Sequence, residues 1–183
     1  MAATDEGPAR PLREIDRHLI AGLARGINWM DNSLQNILRS RGYTPVHRTQ
    51  SLILLHIACG IDSPADIARE MGLTRQNVHQ MARSLIELGL IEQSLHPADP
   101  RRSKYQWSSG ASEIRREALG ILESLEEVVK SRSGAGDEEM LAFHKILGAD
   151  WGPLIGSDEE LLSAAETQVS SRRGKSRNRN TGD

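Results

Sequence analysis

Apolar residues recur every three or four positions along much of the chain, which is the spacing of amphipathic helices. The first stripe runs from Leu12 to Ile37 and predicts one helix roughly 40 Å long at about 1.5 Å per residue. Further helices are expected over residues 48–59, from Ser63-Pro64 to Gly72, and from Thr74 to about Leu88. The first stripe is longer than a small monomeric core covers, so it needs an extended helical partner or a second chain.

Two short strands are predicted after the fourth helix, at residues 90–93 and 104–107. In the second strand polar and aromatic residues alternate. A turn-rich loop from Ser94 to Ser103 joins the strands, and Ser108 and Ser109 are candidate caps for a fifth helix. Later stripes predict that helix and a sixth, and a capping-box pattern at Ser157 predicts a last short helix. The expected fold is therefore mainly α, with one small β-hairpin.

The stretch from Pro64 to Leu85 has the spacing of a helix-turn-helix. Ala68 is small where the second helix crosses the first, and Gly72 stands at the turn, where glycine most easily adopts a positive φ. The apolar contacts that hold the two helices together are Ile67, Met71, Leu73, Val78 and Met81. Because two strands follow directly, this order predicts a winged helix-turn-helix. An ordinary helical pair in a core is the alternative.

The outward face of the fourth helix offers hydrogen-bonding and basic side chains without a carboxylate. Arginine suits guanine edges and glutamine suits adenine edges in the major groove, whereas polar residues near the helix start suit phosphate. Paired arginines in the loop suit the minor groove and phosphate, with a solvated charge cluster as the alternative. The candidate DNA-binding residues are Thr74, Arg75, Gln76, Asn77, His79, Gln80, Arg83, Arg101 and Arg102.

Residues 47–110 resemble the MarR family of winged-helix transcriptional regulators. The matching motifs are Gln50, Ile67-Ala68, Gly72-Leu73-Thr74, the run from Leu85 to Ile91, and Asp99-Pro100-Arg101. The long first helix and the late helices match the family's dimerisation arms in order and length. The resemblance implies a homodimer that binds a pseudo-palindromic DNA operator, often releasing it on binding a small phenolic compound or on thiol oxidation.

Five segments follow from the pattern and the resemblance together. They are a disordered N-terminus at 1–11, a dimerisation helix at 12–46, a winged helix-turn-helix DNA-binding lobe at 47–108, dimerisation helices at 109–169, and a disordered basic tail at 170–183. Trp107-Ser108 stands where the family often has Leu-Thr, which is a departure at the end of the wing. The basic tail is also outside the family pattern.

Charge is distributed unevenly, although the net charge is only −2. Residues 12–50 carry six basic and three acidic side chains, and residues 74–104 carry five basic and three acidic ones. Residues 110–169 carry five basic and thirteen acidic side chains, whereas the tail at 170–183 carries five basic and one acidic. The acidic excess is expected to keep the later helices away from DNA.

The composition restricts the class of protein and the cellular compartment that are compatible with the chain. With Cys59 as its one cysteine the chain forms no internal disulfide, and a reducing compartment such as the cytoplasm fits. No apolar run approaches the roughly 20 residues that span a bilayer, and residues 1–13 lack the apolar centre of a secretory signal. Cys59 is expected to be a structural thiol, because no basic residue is adjacent to it.

An effector pocket between the arms and the DNA-binding lobe is implied by the family resemblance alone. His18, Trp29 and His56 are its candidate residues, and the sequence does not select among them. The six histidines show no metal-ligand spacing, and no cofactor or catalytic motif stands out, so an enzyme is not expected. The sequence predicts a homodimeric DNA-binding regulator under small-molecule control. The alternative is a winged-helix protein-interaction module without specific DNA binding.

Overall fold

The computed structural model describes residues 14–96 and 99–164 of the 183-residue chain. The predicted disordered segments at 1–11 and 170–183 lie outside the described residues. The main elements are α1 (Leu19–Ser40), α2 (Arg48–Ala58), α3 (Pro64–Glu70), α4 (Arg75–Glu87), β1 (Ile91–His96), β2 (Asp99–Trp107), α5 (Ser112–Ser133) and α6 (Asp137–Leu147). The predicted mainly α fold with a small β-wing is confirmed.

The first helix is shorter than its apolar stripe predicted. Glu14–Arg17 form a 3₁₀ turn, and His18 is extended at φ −88° and ψ 137° before α1 begins. The 22 residues of α1 span about 33 Å. A 3₁₀ turn continues the spacing of apolar residues for a few positions, so the stripe alone does not reveal the break.

Helices α2, α3 and α4 pack with the sheet around one mainly aliphatic core that includes Tyr105. Each predicted helix-turn-helix contact lies in this core or packs against it. The side chains of Ile53, Ile67, Val78 and Leu85 have no exposed surface. Burying side chains of this size stabilises a fold by about 1.5–3 kcal/mol each, so the angle between α3 and α4 is firmly fixed.

Strands β1 and β2 pair antiparallel and extend further than expected. The register pairs Ile91 with Trp107 and Leu95 with Ser103, and then shifts so that His96 pairs with Asp99. Most of the predicted loop from Ser94 to Ser103 is therefore strand. The irregularity accommodates extra residues on β2, including Pro100, which has no N–H for a regular ladder.

The predicted serine caps of the fifth helix are wrong. Ser109–Ala111 form a 3₁₀ turn, and α5 follows it with Ala111 as its N-cap. The Ser108 hydroxyl instead donates to the carbonyl of Gly89, and the Ser108 N–H donates to the carbonyl oxygen of Leu90 at 3.1 Å. Ser108 thus closes the base of the β-hairpin.

Helices α1 and α5 pack against each other through a second apolar cluster. Leu38, Ile121 and Leu125 are buried there. Polar contacts support the same junction, because Glu117 accepts from Arg41 at 3.0 Å and from the Tyr43 hydroxyl at 3.2 Å. This cluster and the first one belong to one compact unit that ends at residue 135.

The second compact unit begins at residue 136 and contains α6. Residues 158–164 are helical, and the Ser157 hydroxyl accepts from the Glu160 N–H at 3.2 Å, so the predicted cap is confirmed. No helix within residues 14–96 and 99–164 combines the length and apolar character that crossing a membrane requires.

Candidate nucleic-acid interface

The turn between α3 and α4 sets the position of the candidate interface. Gly72 adopts φ +62°, as its place in the motif predicted. The Leu73 N–H returns to the Ala68 carbonyl at 2.8 Å, which satisfies one of the last carbonyls of α3. At the other end of α3, the Ser63 hydroxyl accepts from the Asp66 N–H at 3.3 Å. Both ends of the short helix are therefore capped.

The sequence of α4 divides into an inward and an outward side. Val78, Ala82 and Leu85 face the core and have no exposed surface. Seven of the predicted DNA-binding residues are exposed on the helix or at its cap: Thr74, Arg75, Gln76, Asn77, His79, Gln80 and Arg83. The structure thus brings together the part of the predicted site that lies on α4. We call the six of these residues that lie in α4 the outward face: Arg75, Gln76, Asn77, His79, Gln80 and Arg83.

Thr74 begins the helix and retains a donor. Its hydroxyl oxygen accepts from the Asn77 N–H at 3.2 Å, so Thr74 is the N-cap that the sequence predicted. A hydroxyl also carries one hydrogen that it can donate. The N-terminus of α4 also carries the positive end of the helix dipole. The start of α4 therefore suits a phosphate oxygen.

Most polar groups of the outward face have no partner within the described part of the chain. Arg75 and Arg83 form no ion pair there, and Gln76 and Gln80 make no side-chain hydrogen bond there. The guanidinium groups of the two arginines and the side-chain amides of the two glutamines, each with several hydrogen-bond donors, are therefore available to an external partner.

One residue of the outward face is bonded to the sheet. His79 Nδ1 lies 2.6 Å from the Tyr105 hydroxyl oxygen, and the two rings meet edge to face with centroids 6.1 Å apart. Tyr105 is 1% exposed, and burial raises the pKa of its hydroxyl above the ordinary value of 10. Sequence reasoning missed Tyr105, because its pairing with a residue 26 positions away depends on how the sheet packs against α4.

The wing contributes a backbone position for Arg101 and Arg102. Both lie in β2 rather than in a loop, and their side chains are outside the described part of the structure. Strand β2 is anchored to the lobe, because the Tyr105 N–H donates to the Asp62 carbonyl at 2.8 Å. The strand that carries these arginines is therefore fixed relative to the start of α3.

The three effector candidates occupy different surroundings. His18 is the N-cap of α1. Trp29 packs against the α1–α5 cluster, with the Arg132 guanidinium 5.8 Å from its ring centroid. The Nδ1 atom of His56 lies 2.7 Å from the Leu52 carbonyl oxygen. Among the described residues, no hydrogen bond or ring contact joins the three. Cys59, expected to be a packed structural thiol, is exposed at the end of α2.

An open recess of about 540 Å³ lies beside the first half of α5. Its lining is Trp107, Ser108, Ser112, Arg115, Arg116, Leu119, Gly120 and Glu123. The Arg115 guanidinium lies 5.7 Å from the Trp107 ring centroid. Trp107 Nε1 is a buried donor that has no hydrogen-bond partner among the described residues. The three effector candidates do not line it. Elsewhere in the described ranges, no three His, Cys, Asp or Glu side chains are placed to share a metal ion.

Comparison with known proteins agrees with this architecture. The model of the MarR family matches residues 44–102, and comparison with curated protein sequences gives no match. The chain is similar to the transcriptional regulator PA4135, with a TM-score of 0.55 and 15% identity over 72% of this chain and 93% of that one.

Two further solved structures are similar and contain a bound molecule. CouR from Rhodococcus jostii RHA1, bound to p-coumaroyl-CoA, has a TM-score of 0.54 and 18% identity over 80% of this chain and all of that one. A mutant MarR from E. coli, complexed with operator DNA, has a TM-score of 0.51 and 16% identity over 75% of this chain and 97% of that one. At these identities the structures show a shared fold. Residues 44–102 therefore match the MarR family model, and the chain has the winged helix-turn-helix fold of the transcriptional regulators to which it is similar.

Proposed function

We propose that the protein is a homodimeric, sequence-specific DNA-binding regulator that acts in the cytoplasm and responds to a small-molecule effector. The observation that carries the proposal is the outward face of α4, which is exposed, carries no carboxylate and has four polar side chains without a partner in the described chain. A helix laid in the major groove needs such a face, because carboxylates repel phosphates and arginine and glutamine read base edges.

The core beneath α4 supports a reading role. A side chain discriminates between bases only if its helix is held firmly, and α4 rests on three residues without exposed surface. Thr74 and Asn77 are proposed to contact phosphate, and Arg101 and Arg102 to contact the minor groove and phosphate. The E. coli MarR mutant that was solved with operator DNA has the same fold, which is consistent with this arrangement.

Exposed apolar side chains support a dimer. Before and along α1, Ile15, Leu19 and Ile20 are more than half exposed, and Ile20 reaches 71%. The second unit carries its own set, including Leu141 and Ile146 on α6. Pooling such faces between two copies removes them from water. Two recognition helices in one dimer then read half-sites about 10 bp apart.

Effector control is the third part of the proposal. CouR, which has the same fold, was solved with p-coumaroyl-CoA bound. In this chain His18, Trp29 and His56 remain predictions, and the recess beside α5 offers an indole and two guanidinium groups to an aromatic acid. Titration with phenolic acids should change the tryptophan fluorescence of the wild type, and Trp107→Phe should remove most of that change if the recess binds the ligand.

Substitution of single arginines tests DNA recognition. Arg75→Ala or Arg83→Ala is expected to weaken binding to the specific site by about 1–3 kcal/mol if the side chain reads a base, and Arg101→Ala should weaken binding more evenly across sequences if it contacts only phosphate. Lys145→Ala is the matched control, because it removes one exposed positive charge from α6. The measurement is a fluorescence-anisotropy titration of duplex DNA at fixed salt. Unchanged affinity in all three arginine variants would exclude this face.

A protein-interaction module on the same scaffold is the alternative function. It predicts no salt-dependent binding to DNA and a partner protein that copurifies with the chain. The same titrations separate the two functions, because neutralising phosphates releases counterions and makes DNA binding fall steeply as salt rises.

A further inference from the structure

The hydrogen bond between His79 and Tyr105 joins the proposed reading helix to the wing strand. The Nδ1 atom and the hydroxyl oxygen are 2.6 Å apart, and the imidazole is exposed whereas the phenol is 1% exposed. One ring nitrogen of His79, Nδ1, is therefore hydrogen-bonded to a buried group of the protein. The other nitrogen, Nε2, makes no hydrogen bond within the described chain.

The burial of Tyr105 determines the direction of this bond. Its hydroxyl has no other hydrogen-bond partner in the described part of the molecule, and a buried O–H is rarely left without an acceptor. The O–H therefore donates to Nδ1, and a neutral imidazole that accepts at Nδ1 carries its hydrogen on Nε2. His79 then presents a single N–H donor toward the solvent.

We infer that Tyr105 is a positioning residue that fixes the ring orientation and tautomer of His79, so that Nε2–H meets a hydrogen-bond acceptor on DNA. The inference rests on the proposed function. Acceptors of this kind are purine N7, guanine O6 and thymine O4 in the major groove, and the phosphate oxygens. Because the ring is ordered before DNA arrives, the complex avoids most of the entropy loss of ordering that side chain.

A double-mutant cycle tests the inference on the selected operator duplex. Tyr105→Phe is expected to weaken binding by roughly three- to tenfold, the range for ordering one side chain. His79→Gln removes the Nδ1 acceptor, so adding Tyr105→Phe to it should cause little further loss. Tyr43→Phe is the matched control, because its hydroxyl bonds to Glu117 at the α1–α5 junction, and it should leave affinity unchanged.

The same variants distinguish a base contact from a phosphate contact. If Nε2–H meets a base, His79→Gln changes the preference at one operator position. If it meets phosphate, the loss is equal across sequences. Equal affinity of Tyr105→Phe and wild type, or full additivity in the double variant, would overturn the inference. Circular dichroism melts confirm that each variant is folded at the temperature of the titration. If Tyr105→Phe is unfolded there, the exposed substitution His79→Gln still tests the contact between His79 and DNA.

A measurement without DNA separates this inference from the proposed function. In the free protein, two-bond ¹H–¹⁵N spectra of the imidazole should show Nε2 protonated and Nδ1 hydrogen-bonded. Tyr105→Phe should move the Nδ1 resonance toward that of an imidazole without this bond. A protein that binds no specific duplex but shows this signature would refute the DNA function and leave the positioning intact. An unchanged Nδ1 resonance in Tyr105→Phe would overturn the positioning.

Discussion

At the scale of single residues, Thr74 combines a structural and a proposed binding role. Its hydroxyl oxygen caps α4, and its hydrogen is proposed to reach phosphate. Ser63 performs the same capping role for α3. Both caps were predictable, because a cap depends on a residue and its neighbours two or three positions later.

Thr74→Ala is expected to lower the free energy of unfolding by about 1 kcal/mol, because the first turn of α4 loses its side-chain acceptor. Thr74→Ser keeps the hydroxyl and should lie close to the wild type. Urea unfolding followed by circular dichroism measures the difference, with protein concentration held constant because the proposed dimerisation would alter the apparent stability. Equal stability of the alanine and serine variants would contradict the role of the cap.

The two tyrosines of the chain should both ionise above their ordinary pKa of about 10. Burial raises the pKa of Tyr105, and desolvation together with the carboxylates of Glu117 and Glu113 raises that of Tyr43. The neutral phenols therefore stabilise the fold below the unfolded pKa, and this contribution is lost as pH rises through the folded pKa. Ultraviolet absorbance of tyrosinate measures the midpoints, with Tyr105→Phe leaving Tyr43 alone. A wild-type midpoint at or below 10 would contradict these environments.

Residue-scale prediction failed where a side chain depends on a distant part of the chain. Sequence placed His79 on the outward face correctly, and did not identify Tyr105 as its partner. The hydroxyl of Ser108 was predicted to cap α5 and instead bonds to Gly89. In both cases the partner is 19 or more positions away, so local spacing carries no information about it.

At the scale of elements, the helix-turn-helix was predictable because several independent positions specify one geometry. Small, apolar and glycine positions at fixed spacing define how α3 and α4 cross, and every one of them takes its expected place. The strands were predicted too short, because backbone pairing continues through residues whose side chains favour turns. The start of α1 was predicted too early, since a 3₁₀ turn mimics the helical spacing.

Gly72→Ala is expected to destabilise the fold by about 1–2 kcal/mol, since an L-residue with a side chain is strained at positive φ. A Cβ at this position meets no atom within 4 Å, so the strain comes from the backbone alone. Gly120→Ala is the control, because it lies inside α5 with open space around a new Cβ and should stabilise by up to about 1 kcal/mol. Thermal melts compare the two. A neutral Gly72→Ala would show that the turn tolerates another conformation.

At the scale of the whole molecule, the sequence places its charges by segment. Residues 110–169 are strongly acidic and residues 74–104 are basic. In the proposed complex the basic segment is therefore attracted to the phosphates of DNA, and the acidic segment is repelled by them. The apolar stripe of the first helix predicted that a partner is needed, and the structure shows three of its residues about half exposed: Ile15, Leu19 and Ile27. Ile20, which follows Leu19 and lies outside the stripe, is 71% exposed. In the proposed dimer a surface of the second chain covers them, and the sequence of one chain does not define that contact.

Ile20→Glu should convert the dimer to a monomer, because it puts a charge into the proposed contact. Light scattering after size exclusion is expected to give about twice the chain mass of 20.2 kDa for the wild type and the chain mass itself for the variant. Leu55→Glu is the matched control, because Leu55 is 52% exposed on α2. A monomeric wild type, or equal effects of both substitutions, would contradict dimerisation through α1.

Selection from a random pool of duplex DNA, with the purified full chain at physiological salt, tests the central claim most directly. The expected result is enrichment of an inverted repeat whose half-sites lie about one helical turn apart, because two α4 helices related by a dimer axis read the two halves. Absence of enrichment, with weak binding that disappears as salt rises, would leave only non-specific electrostatic contact. That result would contradict sequence-specific recognition by the outward face.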